Sequence, residues 1–180
     1  MTAQHRKILT NDTVVNVAQL LKEPVGSTRV VDFHLDEFPL APDITSHDVE
    51  GEARLTRVVT GILADGRVRG QARLECVRCL ELYDEEFSTE FDGEFRPSVD
   101  VRSGLPLPLP EDEEIFVIDN NHELELGELL RQVVIIALPM QPICGDDCPG
   151  IPLPEGGDEE AEDNRLSVLE RLLQEDQETH

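Results

Sequence analysis

A chain of 180 residues can bury one sizeable hydrophobic core and is short for two. Its 39 Asp and Glu against 15 Lys and Arg give a formal net charge of -24. That excess argues against binding RNA or DNA through the whole surface, which needs clustered Lys and Arg, and suits a basic protein partner instead. No apolar stretch follows Met1-Thr2-Ala3-Gln4-His5-Arg6-Lys7, and no run approaches the roughly 18 residues of a membrane helix. A cytoplasmic protein without membrane or DNA contact is expected.

Residues 1–12 are polar and read as a flexible N-terminus. Val14, Val15, Val17, Leu20 and Leu21 then suggest a short strand running into a short helix, closed by Glu23-Pro24-Val25-Gly26. A strand over 28–35 follows, where Arg29-Val30-Val31-Asp32-Phe33 suits a pleated surface. Residues 48–95 have the alternation of an antiparallel meander. Val49, Gly51, Ala53, Leu55 and Arg57 share one parity, as do Val68, Gly70, Ala72, Leu74 and Cys76, and then Phe87, Phe91 and Phe95. Asp65-Gly66 is the predicted hairpin turn between the first two runs, because its glycine tolerates positive φ.

The proline-rich segment 97–110 breaks the ladder and favours extended polyproline geometry. A short strand over 115–118 comes next. Asp119-Asn120-Asn121 offers caps for a helix whose first turns would hold Glu123, Glu125 and Glu128. Its apolar stripe is Leu126, Leu129, Leu130, Val133, Val134 and Ala137, and Pro139 ends it. Beyond residue 150 the chain turns acidic at Asp158-Glu159-Glu160-Ala161-Glu162-Asp163. It finishes with Leu166, Leu169, Leu172 and Leu173 at helical spacing. The predicted organisation is a flexible terminus over 1–12, one domain over 13–150, and an acidic linker with a C-terminal amphipathic helix over 151–180. The fold class is α+β: a predominantly antiparallel sheet or meander, one main packed helix, a short N-terminal helix and the C-terminal helix.

The four cysteines form two close pairs, Cys76 with Cys79 and Cys144 with Cys148. Two pairs far apart in sequence are how a fold brings four thiolates to one tetrahedral ion, so the first reading is one structural zinc held by all four. Structural thiols or disulfides, and thiol-disulfide exchange at Cys76 and Cys79, are the alternatives. A reducing compartment favours metal over disulfide. The expected turn between two later strands would let Cys76 and Cys79 point at one ion.

Gly-rich phosphate loops, Gly-x-Ser-x-Gly and His-Glu-x-x-His are absent from the sequence. No enzymatic activity is therefore indicated. His122 reads as a satisfied surface histidine near a helix start. Arg67, Arg69, Arg73 and Arg78 form a local basic row that touches RNA or, preferably, pairs with the chain's own carboxylates. With no Trp and one Tyr, the chain has little to stack on bases.

Four stretches carry a family resemblance. They are Leu20-Leu21-Lys22-Glu23-Pro24-Val25-Gly26-Ser27-Thr28-Arg29; residues 70–80 continuing to Glu81 around Cys76-Val77-Arg78-Cys79; residues 118–140 with Arg131-Gln132; and residues 142–150 with the second cysteine pair. Over roughly residues 14–175 the chain resembles the YceD proteins, associated with accumulation of large-subunit ribosomal RNA. The resemblance implies a non-enzymatic factor in large-subunit biogenesis that supports synthesis, processing or accumulation of that RNA. Joined to the net charge, it points to a basic ribosomal protein or an assembly intermediate as partner, with direct RNA contact secondary. A cytoplasmic thiol oxidoreductase using Cys76 and Cys79, and a zinc-containing RNA-binding module, are the rival functions. Relatives with a fuller cysteine set carry another Cys-x-x-Cys-Gly, where this chain has Pro152 and Glu155 before Gly156. Four cysteines still suffice for one ion.

Overall fold

Alternation of apolar residues over long stretches makes pleated strands with one buried face. In the computed structural model, which describes residues 7–109 and 115–151, four such strands form the body: β3 (Thr28–Ala41), β4 (Ile44–Arg57), β5 (Ile62–Glu75) and β6 (Leu82–Pro97). Two shorter strands are β1 (Lys7–Thr10) and β2 (Val14–Asn16), followed by helix α1 (Ala18–Lys22). After β6 come β7 (Phe116–Ile118), β8 (Glu123–Glu125) and helix α2 (Gly127–Ala137). The architecture is mixed α+β, a mostly β structure with two helices. The C-terminal helix expected beyond residue 151 lies outside the described residues.

The main sheet has the order β1-β3-β4-β5-β6-β7, with antiparallel pairing from β3 to β6 and parallel pairing at both edges. Lys7–Thr10 falls in the stretch expected to be flexible, yet it adds to β3 as an edge strand. The buried Leu9 gives the reason, since it joins the hydrophobic core. A second sheet joins β2 to β8.

The hairpin between β4 and β5 is not at Asp65-Gly66. Both residues lie within β5, opposite Arg54 and Ala53, and the chain turns instead at 58–61, where the Val58 amide donates to the Gly61 carbonyl at 3.0 Å. The glycine signal at 66 has a different cause: a Cβ there would come within 1.9 Å of the Glu52 carbonyl oxygen and 2.9 Å of the Phe91 ring. Strand packing leaves no room for a side chain, and turn geometry is not involved. Asp65 pairs across the strands with the Arg54 guanidinium.

The predicted parities hold in the core. Val49, Ala53 and Leu55 of β4, Val68, Ala72 and Leu74 of β5, and Phe87, Phe91 and Phe95 of β6 are all buried. In β4 the register shifts between His47 and Glu50, with Asp48 at φ 51°. This bulge lets Ser46 and Val49 face inward although their positions differ by three. Arg57 shares the inward parity because its guanidinium caps backbone rather than filling the core. It donates to the carbonyls of Leu21 at 3.3 Å and Gly61 at 2.9 Å, and to that of Val58, tying α1 to the hairpin turn.

Helix α2 closes the core. Leu129, Leu130 and Val134 are buried, and each such side chain contributes about 1.5–3 kcal/mol on removal from water. The helix starts later than its acidic run suggests, because Glu123–Glu125 pairs with β2 as strand β8. Asp119 caps the tight turn before β8, accepting from the amides of Asn121 at 2.9 Å and Glu123 at 2.7 Å. Glu125 in turn accepts from the Gly127 amide at 2.6 Å. His122 sits in that turn at φ 62° with a buried Nδ1 that has no hydrogen-bond partner among the described residues. It is not the satisfied surface histidine expected. Helix α2 ends before Pro139, and the chain runs on to Cys144 in the segment that meets the β5–β6 turn.

Candidate metal centre

The turn between β5 and β6, residues 76–81, is closed by two backbone bonds. The Cys76 amide donates to Glu81 O and the Leu80 amide to Cys76 O, both at 2.9 Å. This knuckle aims both thiols to one side, but at a cost: Leu80 is held at φ 62°, a left-handed conformation that disfavours any side chain. The segment after α2 lies against it. Pro142 O accepts from the Val77 amide at 2.9 Å, and a tight turn donates the Cys148 amide to Gly145 O at 3.2 Å.

All four sulfurs lie within 4.8 Å of one another. Two close contacts join one pair to the other: Cys76 to Cys148, and Cys79 to Cys144, each at 3.7 Å. A disulfide would need about 2.05 Å, so the thiols are free. Four sulfurs placed about 2.3 Å from a central zinc would stand about 3.8 Å apart. The two measured contacts match that edge, and the site is compatible with one tetrahedral metal ion.

Backbone donors converge on Cys76, whose sulfur accepts from the amides of Cys144 at 3.4 Å and Arg78 at 3.5 Å. The Cys144 amide above all stabilises the thiolate and holds Cys76 at about 6, against the pull of burial in the other direction. Cys144 is pushed up, first by hydrogen bonding to Cys148 and then by the other two thiols. Cys76 and Cys148 are buried, Cys79 is half-buried and Cys144 is exposed. The cluster therefore opens to solvent on the Cys144 side.

The sequence could name the four cysteines but not the amides that serve them, because those depend on how the two loops meet. It also missed Tyr83 beside the cluster. Its hydroxyl is buried without a hydrogen-bond partner among the described residues, and burial, with the nearby Glu85 carboxylate, raises its pKa to about 12. Three of the row's four arginines pair with the chain's own carboxylates: Arg67 with Glu90 at 2.6 Å, Arg69 with Glu50 at 2.8 Å and Arg73 with Asp84 at 2.9 Å; Arg78 forms no such pair among the described residues. Cys76 and Cys79 stand between two strands, not at a helix N-terminus, where thioredoxin-like thiolates gain their stabilisation. Among the described residues no helix is long and apolar enough to cross a membrane.

The model of a family described as large ribosomal RNA subunit accumulation protein YceD matches residues 64–173, more than half of the chain. The match begins in β5 and takes in both cysteine pairs and α2. Searches of curated proteins and of solved structures return no match.

Proposed function

This chain belongs to the YceD family of large ribosomal RNA subunit accumulation proteins, and from that premise we propose that it is a non-enzymatic cytoplasmic factor in large-subunit biogenesis. It supports synthesis, processing or accumulation of the large-subunit RNA by engaging a basic ribosomal protein or an assembly intermediate. The observation that carries this reading is the family match, which spans the cysteine cluster and the helix that closes the core.

Charge supports a protein partner over direct RNA binding. Lys and Arg are few, and Arg67, Arg69 and Arg73 are already engaged by the chain's own carboxylates. Phosphate binding would require those pairs to open. Basic partners meet the opposite condition, since opposite net charge accelerates encounter and favours association.

Within this role Cys76, Cys79, Cys144 and Cys148 hold one structural zinc. The ion would complete a closed four-sulfur shell and tie the β5–β6 turn to the segment after α2. Four protein ligands leave no open position for a reacting water, so the site serves folding and not hydrolysis.

Depleting the protein from cells should lower large-subunit RNA relative to small-subunit RNA, and restoring it should reverse the loss. An unchanged ratio would overturn the assembly reading, as would salt-sensitive binding to purified ribosomal RNA with no affinity for basic ribosomal proteins. Elemental analysis of reduced protein should find one zinc per chain, with all four thiols alkylated together and only after chelation. One thiol that reacts fast in the protein as isolated, with no chelator and no zinc found, would favour the oxidoreductase instead.

A further inference from the structure

Exposed apolar side chains gather around the cysteine cluster. Val77 and Leu80 lie on the β5–β6 turn, and Met140 and Ile143 lie on the segment that meets it; Met140 is fully exposed. The Val77–Pro142 backbone bond brings these two groups together. Leu80 is the most telling member. A glycine at φ 62° would be free of strain, yet the position carries a leucine that is 55% exposed. The closure of the turn accounts for the backbone, so what calls for a contact is the exposed leucine side chain where a glycine would serve the turn better.

Charge selects the occupant. Exposed Glu81, Asp146 and Asp147 flank the apolar residues, with Glu75 at the end of the neighbouring strand, and Arg78 is the one basic side chain within 75–82 and 139–151. Unlike the carboxylates facing the arginine row, none of these four forms an ion pair among the described residues. The chain's own leucine-bearing end is ill suited to such a rim, because residues 152–180 carry ten Asp and Glu against two Arg. A second copy, with net charge -24, is repelled in the same way. RNA phosphate is excluded by sign.

We propose that the apolar surface of Val77, Leu80, Met140 and Ile143, with its acidic rim, is the docking face for a Lys/Arg-rich segment of a large-subunit protein that also presents apolar anchors. The partner's cations would meet Glu81, Asp146 and Asp147, while its apolar side chains cover Leu80 and Met140. This rests on the assembly role above and names the surface through which it acts.

The test places a photo-crosslinking amino acid at Leu80, at Met140 and, as a control on the far β4–β5 turn, at Val59, in the full chain. Each variant is irradiated with proteins extracted from purified large ribosomal subunits. Leu80 and Met140 should capture the same basic protein at least tenfold more efficiently than Val59. A Glu81→Lys/Asp147→Lys variant with unchanged melting temperature and zinc content should lose at least tenfold in that capture. Capture of residues 165–173 of the same chain, of a second copy, or of residual RNA at Leu80 would overturn the proposal. Capture of a large-subunit protein at Val59 alone would remove the docking face yet leave the assembly role standing. If no position captures a protein, the face is likewise refuted, and the RNA ratio after depletion decides the assembly role separately.

Discussion

The broad sheet surface over β4–β6 and the rim of the cysteine cluster handle charge in opposite ways. On the sheet, arginines alternate with acids across neighbouring strands: Arg54 meets Asp65, Arg67 meets Glu90, Arg69 meets Glu50 and Arg73 meets Asp84. At the cluster, Glu81, Asp146 and Asp147 stand beside exposed leucine, isoleucine and methionine with no such partners among the described residues. Opposite charges are thus paired along the arginine row of the sheet, while the carboxylates where the two loops meet keep no ion partner among the described residues. The two regions also differ in what holds them. Strand pairing and a shared core secure the sheet, whereas the two loops meet through a few backbone bonds at four clustered sulfurs.

The largest effects should separate those two sources of stability. Phe95 is buried and stacks on Phe116 with ring centroids 5.0 Å apart. Phe95→Ala should cost about 3–5 kcal/mol, the range for emptying a large aromatic site, with zinc content retained in whatever fraction stays folded. Cys76→Ser should act from the other side. A metal bridge between Cys79 and Cys144 would close a loop of roughly 64 residues, worth at most about 4 kcal/mol of unfolded-state entropy. Its loss should abolish zinc binding and lower the melting temperature while the far-ultraviolet signal of the sheet persists. Unchanged melting with Cys76→Ser would show that the cluster stabilises nothing.

The sheet half of this contrast was the more legible in the sequence. Alternation at Val49, Ala53 and Leu55, and again at Phe87, Phe91 and Phe95, identified the buried face because strand period and burial coincide there. Gly66 misled because a glycine needed for close strand approach looks the same in sequence as one needed for a turn. Glu123 and Glu125 likewise suit a helix start, and only the pairing of β8 with β2, more than a hundred residues earlier, turns them into a strand. The four cysteines were visible by spacing. The Cys144 amide on Cys76 and the surrounding apolar surface were not, because they arise when residues 142–150 fold onto residues 76–80; the strained Leu80 was not, because it comes from the backbone closure of the 76–81 turn.

Two milder substitutions sharpen the picture at the cluster. Leu80→Gly should raise stability by about 1 kcal/mol by relieving the left-handed strain, yet weaken capture of the basic partner. A gain in one measurement with a loss in the other is the signature of a contact residue held under strain. Tyr83→Phe removes a buried hydroxyl that lacks a partner. It should leave stability unchanged or raise it by up to about 1 kcal/mol, since replacing an unsatisfied polar atom by an apolar group of the same shape is neutral or favourable. A clear loss in thermal melts would mean that a water or partner serves that hydroxyl.

The smallest effect belongs to the arginine ladder. Arg67 and Glu90 form a close pair, but their side chains are 78% and 72% exposed, so water and salt screen the attraction and ordering two long side chains offsets much of the rest. Arg67→Ala should therefore shift stability by less than about 1 kcal/mol and leave capture of the basic partner at Leu80 unchanged. Any affinity for ribosomal RNA, measured at low salt, should be equally indifferent, because the Arg67 guanidinium is already committed to Glu90. If Arg67→Ala instead weakened RNA binding and flattened its salt dependence, the ladder would have to be an RNA-facing surface whose internal pairs open on contact. The two regions would then exchange roles, with the paired sheet carrying recognition.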